Sequence, residues 1–191
     1  AVKRRKVLDA EAEVARFQAA RQEAIAKLAV LYEKAVVDVG RDNAAIFEIH
    51  QMMLEDLDYI ESIEGIIRTQ HVNAEYAVQT TAANFAEIFS SMEDDYMRAR
   101  AADVKDISRK VLDCLGDGGS SWESGEGSYI LAADDLAPSG TVQLDKARVL
   151  GFVTAAGSVN SHTAILARTI GIPAVVSTGS SIGEEYDGKL V

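Results

Sequence analysis

Between Val7 and Leu115 apolar residues recur three, four or seven positions apart and no proline interrupts them. That spacing puts one buried stripe on each of a series of helices. Val14, Phe17, Ala24, Leu28 and Leu31 mark a first helix ending near Gly40. A second can start after Asp42 or Asn43, either a good N-cap, and carries Ile46, Phe47, His50, Met53, Leu54 and Leu57. Ile60, Ile63 and Ile67 extend or restart it. Asn73 can cap a third, with Val78, Phe85, Ile88, Phe89 and Met92, and Val104, Ile107, Val111 and Leu115 mark a fourth, stopped by Gly116. Four helices with short connections predict an antiparallel bundle.

The period changes at Gly116. From there to Gly127 the chain is rich in Gly and Ser, which reads as a linker. Short β-like runs follow, Tyr129 to Ala132, Val149 to Thr154 and Ala174 to Val176, separated by helix-forming stretches. Pro138 suits the first turn of one such helix, from Ala137 to about Leu144. The expected fold is thus α plus α/β: a helical domain over 1–116, a linker over 117–127 and a small α/β domain over 128–191. Three strands make a thin sheet, so a further strand is expected before Ala1.

Charge narrows the function. A formal net charge of -11 argues against nucleic acid as the ligand and suits a basic protein partner. Cys114 is the only cysteine, so neither an intramolecular disulfide nor a thiolate zinc cluster can form, as expected for a reducing cytoplasm. No apolar run approaches the roughly 20 residues that span a bilayer, and no secretion signal follows the basic start. The absence of an initiating methionine and the early onset of helical pattern are those of a piece of a longer chain.

The chemistry is carried by Gly151 to Arg168, which runs from a strand through a small-residue loop into a helix with His162 at its N-terminus. Free N–H groups and the positive end of the helix dipole make such a point a cradle for phosphate. Gly157, Ser158 and Ser161 let a phosphoryl group approach closely, and imidazole is a competent nucleophile for covalent transfer. On its own, a histidine after a loop is more often a helix cap than a catalyst.

The whole run, however, resembles the phosphohistidine signature of phosphoenolpyruvate-utilising enzymes: Gly157, Asn160, His162, Thr163, Ala164, Ile165, Leu166, Ala167 and Arg168 all fit it. Ser158 departs, standing where the family has Gly or Ala. Enzyme I of the bacterial phosphotransferase system, pyruvate phosphate dikinase and phosphoenolpyruvate synthase share this signature. The helical part resembles enzyme I, in the segments Ala45–His50, Leu54–Asp56 and Arg100–Ile107, as does Ala132–Thr141 before the histidine.

That resemblance implies that a phosphoryl group from phosphoenolpyruvate passes through Nε2 of His162 to a histidine of the small phosphocarrier protein HPr, for sugar import. It implies that the Thr141 hydroxyl hydrogen-bonds the active imidazole and that Arg168, six residues along the helix, is catalytic or structural. It implies an HPr-binding surface of Asp42, Ile46, His50, Met53, Asp56, Asp58, Tyr96, Met97 and Arg100, although Ile46, Met53 and His50 stand at spacings more usual for core. Arg41, Asn43 and Ile49 depart from the family pattern there. No metal is expected in this stretch. The family's magnesium ion and phosphoenolpyruvate belong to a C-terminal barrel that also forms the dimer and is not recognisable here. The chain is accordingly expected to be a cytoplasmic monomer that exchanges with HPr but cannot phosphorylate itself from phosphoenolpyruvate.

The rivals are a nitrogen-related enzyme I paralogue, a dikinase-like phosphohistidine domain and a non-catalytic helical interaction module. The dikinase reading lacks a nucleotide-binding G-x-x-x-x-G-K-[ST] or G-x-G-x-x-G segment, and a serine hydrolase lacks a G-x-S-x-G elbow.

Overall fold

The structure is a computed structural model and describes residues 2–117, 127–179 and 187–189. Of the expected linker, residues 118–126 lie outside the described residues. Five long helices come first: α1 (Ala10–Val39), α2 (Arg41–Leu54), α3 (Leu57–Gln70), α4 (Ala74–Ser90) and α5 (Asp95–Leu112). A π-helical turn, Asp113–Asp117, ends the run, with Gly116 at a φ of 113°. The rest alternates as β1 (Tyr129–Ala133), α6 (Pro138–Gln143), β2 (Val149–Thr154), α7 (His162–Ile170) and β3 (Ala174–Val175). A helical bundle followed by a small α/β unit is the class the periodicity predicted.

The second expected helix is two helices, because Asp56 stops one and starts the next. Its side chain accepts from the Tyr59 N–H at 3.1 Å with φ and ψ in the extended region, the geometry of an N-cap. The preceding helix ends on Leu54, whose carbonyl accepts from Arg21 at 2.9 Å. Asn73 does precede α4, but its side chain makes no capping bond. It accepts instead from the Arg5 N–H at 2.8 Å, and Glu13 on α1 reaches across to take the Ala74 N–H at 2.6 Å.

By their contacts the residues group into two compact units, Ala1–Tyr32 with Phe47–Trp122, and Glu33–Ile46 with Glu123–Val191. The expected boundary at residue 116 therefore differs in one stretch. Residues 33–46 join the α/β unit, where Lys34 donates to the Val142 carbonyl at 2.8 Å and Lys146 pairs with Asp38 at 3.5 Å.

In the helical unit the expected stripes are inside. Phe17, Leu28, Phe47, Leu54, Ile63, Ile67, Val78, Ile107 and Val111 are fully buried. Burying each such side chain contributes about 1.5–3 kcal/mol. Ile88, expected in the stripe of α4, is half exposed.

Two polar devices tie these helices together. Tyr59 on α3 and Ser108 on α5, both buried, share a 2.9 Å hydrogen bond, and burial pushes the Tyr59 phenol well above its ordinary range. Arg16 holds Glu13 at 2.7 Å, Glu75 at 2.8 Å and the Leu115 carbonyl at 3.0 Å. Burial alone would raise both carboxyls. The hydrogen bonds from Arg16, with the Ala74 N–H on Glu13 and Asn73 on Glu75, outweigh it and hold both below the usual glutamate value.

The α/β unit is built on a three-stranded parallel sheet in the order β1-β2-β3. One face packs into a core of Leu136, Leu144, Val149, Phe152, Ala167 and Ile172. β1 and β2 each run into a connector that carries a helix back to the next parallel strand, and α6 and α7 pack against each other.

Candidate functional site

The strand-to-helix turn that carries His162 is shaped residue by residue. At the end of β2, Thr154 donates its hydroxyl to the Ala156 carbonyl at 2.8 Å. The Ala156 N–H bonds the Asp134 carbonyl at 2.8 Å, and the Ser177 N–H bonds the Ala156 carbonyl at 3.1 Å. The loop is thereby pinned to both neighbouring segments. Gly157 then turns the chain at a φ of 99°, a conformation that L side chains rarely adopt. A Cβ there would also stand 3.7 Å from Thr154 Oγ1 and 3.9 Å from Asp135 Oδ1.

Ser161 is the N-cap of α7. Its hydroxyl accepts from the Ala164 N–H at 3.2 Å and donates to the Ser158 carbonyl at 2.8 Å. The other end closes on Gly171 at a φ of 80°, with Ile172 N–H to the Ala167 carbonyl at 3.0 Å and Gly171 N–H to Arg168 at 3.3 Å. This left-handed stop satisfies the carbonyls of the last turn.

His162 is the first residue of α7 and is exposed. Among the described residues no acceptor meets the N–H of His162 or of Thr163. An exposed imidazole thus sits beside two free N–H groups and the positive pole of a helix. The arrangement can accept a phosphoryl group on the ring and hold its oxygens from the backbone.

The structure places the two helpers differently from expectation. Thr141 is fully buried in α6, and its hydroxyl donates to the Ala137 carbonyl at 3.1 Å, closing its own helix turn. No hydrogen bond joins it to His162. Arg168 reaches back along α7 and donates to the Val159 carbonyl at 3.2 Å, bracing the loop from outside. Sequence reading passed over Thr163 except as part of the signature. Its hydroxyl donates across 27 positions to the Leu136 carbonyl at 2.5 Å. Only the motif hinted at it.

Of the nine residues expected to face a partner, Asp42 and Ile46 group with the α/β unit and the other seven with the helical unit. Asp56, Asp58 and Tyr96 are exposed, as is Asp42, while Met53, Met97 and Arg100 are half-buried. Arg100 lies over the Tyr96 ring at 5.0 Å and donates to its hydroxyl. Two residues do not fit the expectation. Ile46 is 3 % exposed and His50 is fully buried, because both fall on the inner stripe of α2.

His50 faces Asp103 and Asp106 of α5, its Nε2 3.3 Å from Asp103 Oδ1 and its Nδ1 3.7 Å from Asp106 Oδ2. It is a packed residue, fully buried, with a hydrogen bond between its Nε2 and Asp103. The large apolar residues that α2 and α3 do expose are Met52 and Leu57, about two-thirds accessible, among the exposed carboxylates of Glu55, Asp56 and Asp58.

Among the described residues no three His, Cys, Asp or Glu side chains are arranged to hold a metal ion, and no helix is long and apolar enough to cross a membrane.

Residues 1–100 match the family described as PEP-utilising enzyme, N-terminal. The chain belongs to the PEP-utilising enzymes. Residues 125–191 match that family's mobile domain, the stretch that bears His162. The chain is 41% identical over 192 aligned residues to a phosphoenolpyruvate-protein phosphotransferase of Bacillus sp. (strain S) and 40% identical to that of Geobacillus stearothermophilus. Each alignment covers all of this chain and 33% of the relative, so this member of the PEP-utilising enzymes spans about a third of their length. Among solved structures it resembles an enzyme I protein studied in solution by NMR, with a TM-score of 0.72 and 34% identity over 94% of this chain and 74% of that one. It also resembles the N-terminal domain of Enzyme 1 - Nitrogen, with a TM-score of 0.68 and 28% identity over 95% of this chain and 74% of that one.

Proposed function

We propose that this chain is the phosphotransfer part of a phosphoenolpyruvate-protein phosphotransferase, relaying a phosphoryl group through His162 to the phosphocarrier HPr in the cytoplasm. The observation that carries this reading is the exposed imidazole at the first position of α7, beside free N–H groups and behind a turn braced by Ser161 and Arg168. Transfer is an in-line displacement. The Nε2 lone pair of His162 attacks phosphorus, the N–P bond to His162 forms, and the bond from phosphorus to the donor breaks with its electron pair leaving on the donor. Toward HPr the same step runs with His162 as the leaving group. Positioning and the N–H groups, rather than proton transfer, supply the catalysis.

This chain covers 33% of the relative's length, and by the family resemblance phosphoenolpyruvate and magnesium would bind in the remainder. Magnesium would neutralise charge on phosphoenolpyruvate there. No step here is routed through it. On the helical unit, exposed Met52 and Leu57, close in sequence to the exposed carboxylates of Glu55, Asp56 and Asp58, suit a transient interface with a basic carrier.

Incubation with HPr carrying labelled phosphohistidine tests the proposal. The wild-type chain is expected to take up acid-labile label and His162→Ala none. A wild type without label, or label retained by His162→Ala, would overturn it. The likeness to the nitrogen enzyme favours a second reading in which the carrier belongs to the nitrogen branch. Exchange with carriers of both branches, side by side, separates the two.

A further inference from the structure

A threonine in the first turn of a helix usually spends its hydroxyl locally, on its own cap or on the carbonyl four residues earlier. Thr163 does neither. The carbonyl four residues before it, that of Val159, is taken by Arg168. The Thr163 hydroxyl goes instead to the Leu136 carbonyl at 2.5 Å, with Thr163 itself 7 % exposed. Leu136 is anchored in its own right, its side chain in the core with Phe152 and Ala167 and its N–H on Asp135 Oδ1 at 2.9 Å. The bond therefore fastens the first turn of α7 to the backbone of a core residue of the α/β unit.

That turn has few other restraints. Its backbone N–H groups at His162 and Thr163 are kept free for an anion. Only Ala164 and Ile165 tie it to Ser161, both bonds internal to the loop and helix. Successive helix residues point about 100° apart, so Thr163 looks into the core while His162 looks out. Holding the Thr163 side chain holds the adjacent Cα of His162 and the axis from which its ring projects. The same connector runs from Leu136 through Ala137 into α6, where Thr141 sits, so the bond also fixes how α6 and α7 meet.

We propose that Thr163 is a positioning residue for His162: its hydroxyl bond to the Leu136 carbonyl sets the direction in which the imidazole meets an incoming phosphorus atom. This rests on His162 being the phosphoryl acceptor. In-line displacement is sensitive to such alignment, and misplacement by about 1 Å can cost on the order of a hundredfold in rate. The bond acts on alignment and not on docking of the carrier, so its loss lowers turnover and leaves KM for the carrier unchanged.

The experiment compares Thr163→Val, which keeps the shape and removes the donor, with Thr163→Ser, which keeps the donor. Thr169→Val serves as control. It removes another hydroxyl of the same helix, one that bonds only the Ile165 carbonyl of its own turn. Exchange with labelled phosphocarrier is followed at varied carrier concentration, and the His162 ring resonances are recorded by NMR on the same samples. Thr163→Val is expected to lose about tenfold in turnover with KM unchanged, and to shift or broaden the His162 ring signals. Thr163→Ser should stay within about threefold of wild type and Thr169→Val at the wild-type rate, on the same scale of alignment effects. Should the valine variant fail to fold by circular dichroism, Thr163→Ala takes its place.

Wild-type turnover in the valine variant, or a serine variant as slow as the valine one, overturns the proposal. If the wild type takes no label, the phosphohistidine reading fails and the ring signals decide. A His162 environment that moves in Thr163→Val but not in Thr163→Ser or Thr169→Val still upholds the positioning role, and one that moves in none removes it.

Discussion

Replacing Ser161 by aspartate separates two roles that the N-terminus of α7 combines. Ser161 caps the helix through the Ala164 N–H at 3.2 Å and ties the loop through the Ser158 carbonyl at 2.8 Å. Aspartate is as good an N-cap as serine, and its charge interacts favourably with the helix dipole. It gives up only the donated bond to Ser158, worth about 1 kcal/mol net. The stability of Ser161→Asp should therefore lie within about 1 kcal/mol of wild type, whereas Ser161→Ala should lose about 1–2 kcal/mol.

For the chemistry the order reverses. With the separation taken as roughly 6 Å, a carboxylate at position 161 would repel the two negative charges of a phosphoryl group on His162 by about 1.4 kcal/mol at the dielectric of water. Because His162 is exposed, the screened figure applies, and it corresponds to about a tenfold loss in uptake. Urea unfolding measures the first quantity, and label uptake from phosphorylated HPr at 0.05 M and 0.5 M salt, chosen as about a tenfold span around the screening range, measures the second. The expected result is a folded Ser161→Asp with uptake well below that of Ser161→Ala, recovering in high salt. A Ser161→Asp variant that takes label as fast as wild type would refute the anion cradle at this helix end.

Four other expectations concern the helical unit. Tyr59→Phe orphans the buried Ser108 hydroxyl and should cost about 1–3 kcal/mol, while adding Ser108→Ala should recover part of it, a coupling that urea unfolding of the four-member cycle reads directly. Because the Tyr59 phenol is raised by burial, the stability it lends is complete below the unfolded tyrosine value near pH 10 and falls as pH rises beyond it, an alkaline loss that Tyr59→Phe should lack. The carboxyls of Glu13 and Glu75 are held below their ordinary value, so their contribution is present above about pH 4.3 and is lost as pH falls through the lower folded values; Glu75→Gln should flatten that acid limb in pH-dependent unfolding. Met52→Lys should weaken HPr binding by at least about tenfold by calorimetry, as expected for a charge placed at the centre of an apolar contact, whereas Thr80→Ala, on α4, should not.

Much of this was legible in order of residues alone. Strand, small-residue loop and helix around His162 follow from local chemistry: Gly157 needs its positive φ, Ser161 caps, Gly171 stops the helix. The long-range partners were not legible. Thr163 finds Leu136 27 positions back, and Glu13 caps α4 from 61 positions away in place of Asn73, because the tertiary fold brought a carboxylate to that N–H group. Local rules name a helix boundary correctly there while naming the wrong side chain to satisfy it.

Two residues of the expected partner surface, Ile46 and His50, are buried for a sharper reason. Helical spacing identifies a stripe, and any set chosen at intervals of three and four on α2 is a stripe, but composition must decide which stripe faces inward. Ile46, His50 and Leu54 stand four apart and are all buried, with Phe47 beside them. The set implied by the family resemblance includes Ile46 and His50, which stand at this core spacing. A histidine on an apolar helix face is usually packed or hydrogen-bonded, and its partner then has to be found on another element. Here the answer lay on α5, where Asp103 and Asp106, three apart among Val104 and Ile107, are themselves buried and face His50 at 3.3 and 3.7 Å. A buried charge is costly unless partnered, so an aspartate pair at helical spacing on an apolar face points to a buried polar partner on another helix. The outward stripe of α2 then runs through Glu48 and Met52, four apart and both exposed, with exposed Glu55 just past its end. Adjacent methionines divide between the two environments, Met53 half-buried and Met52 open to a partner.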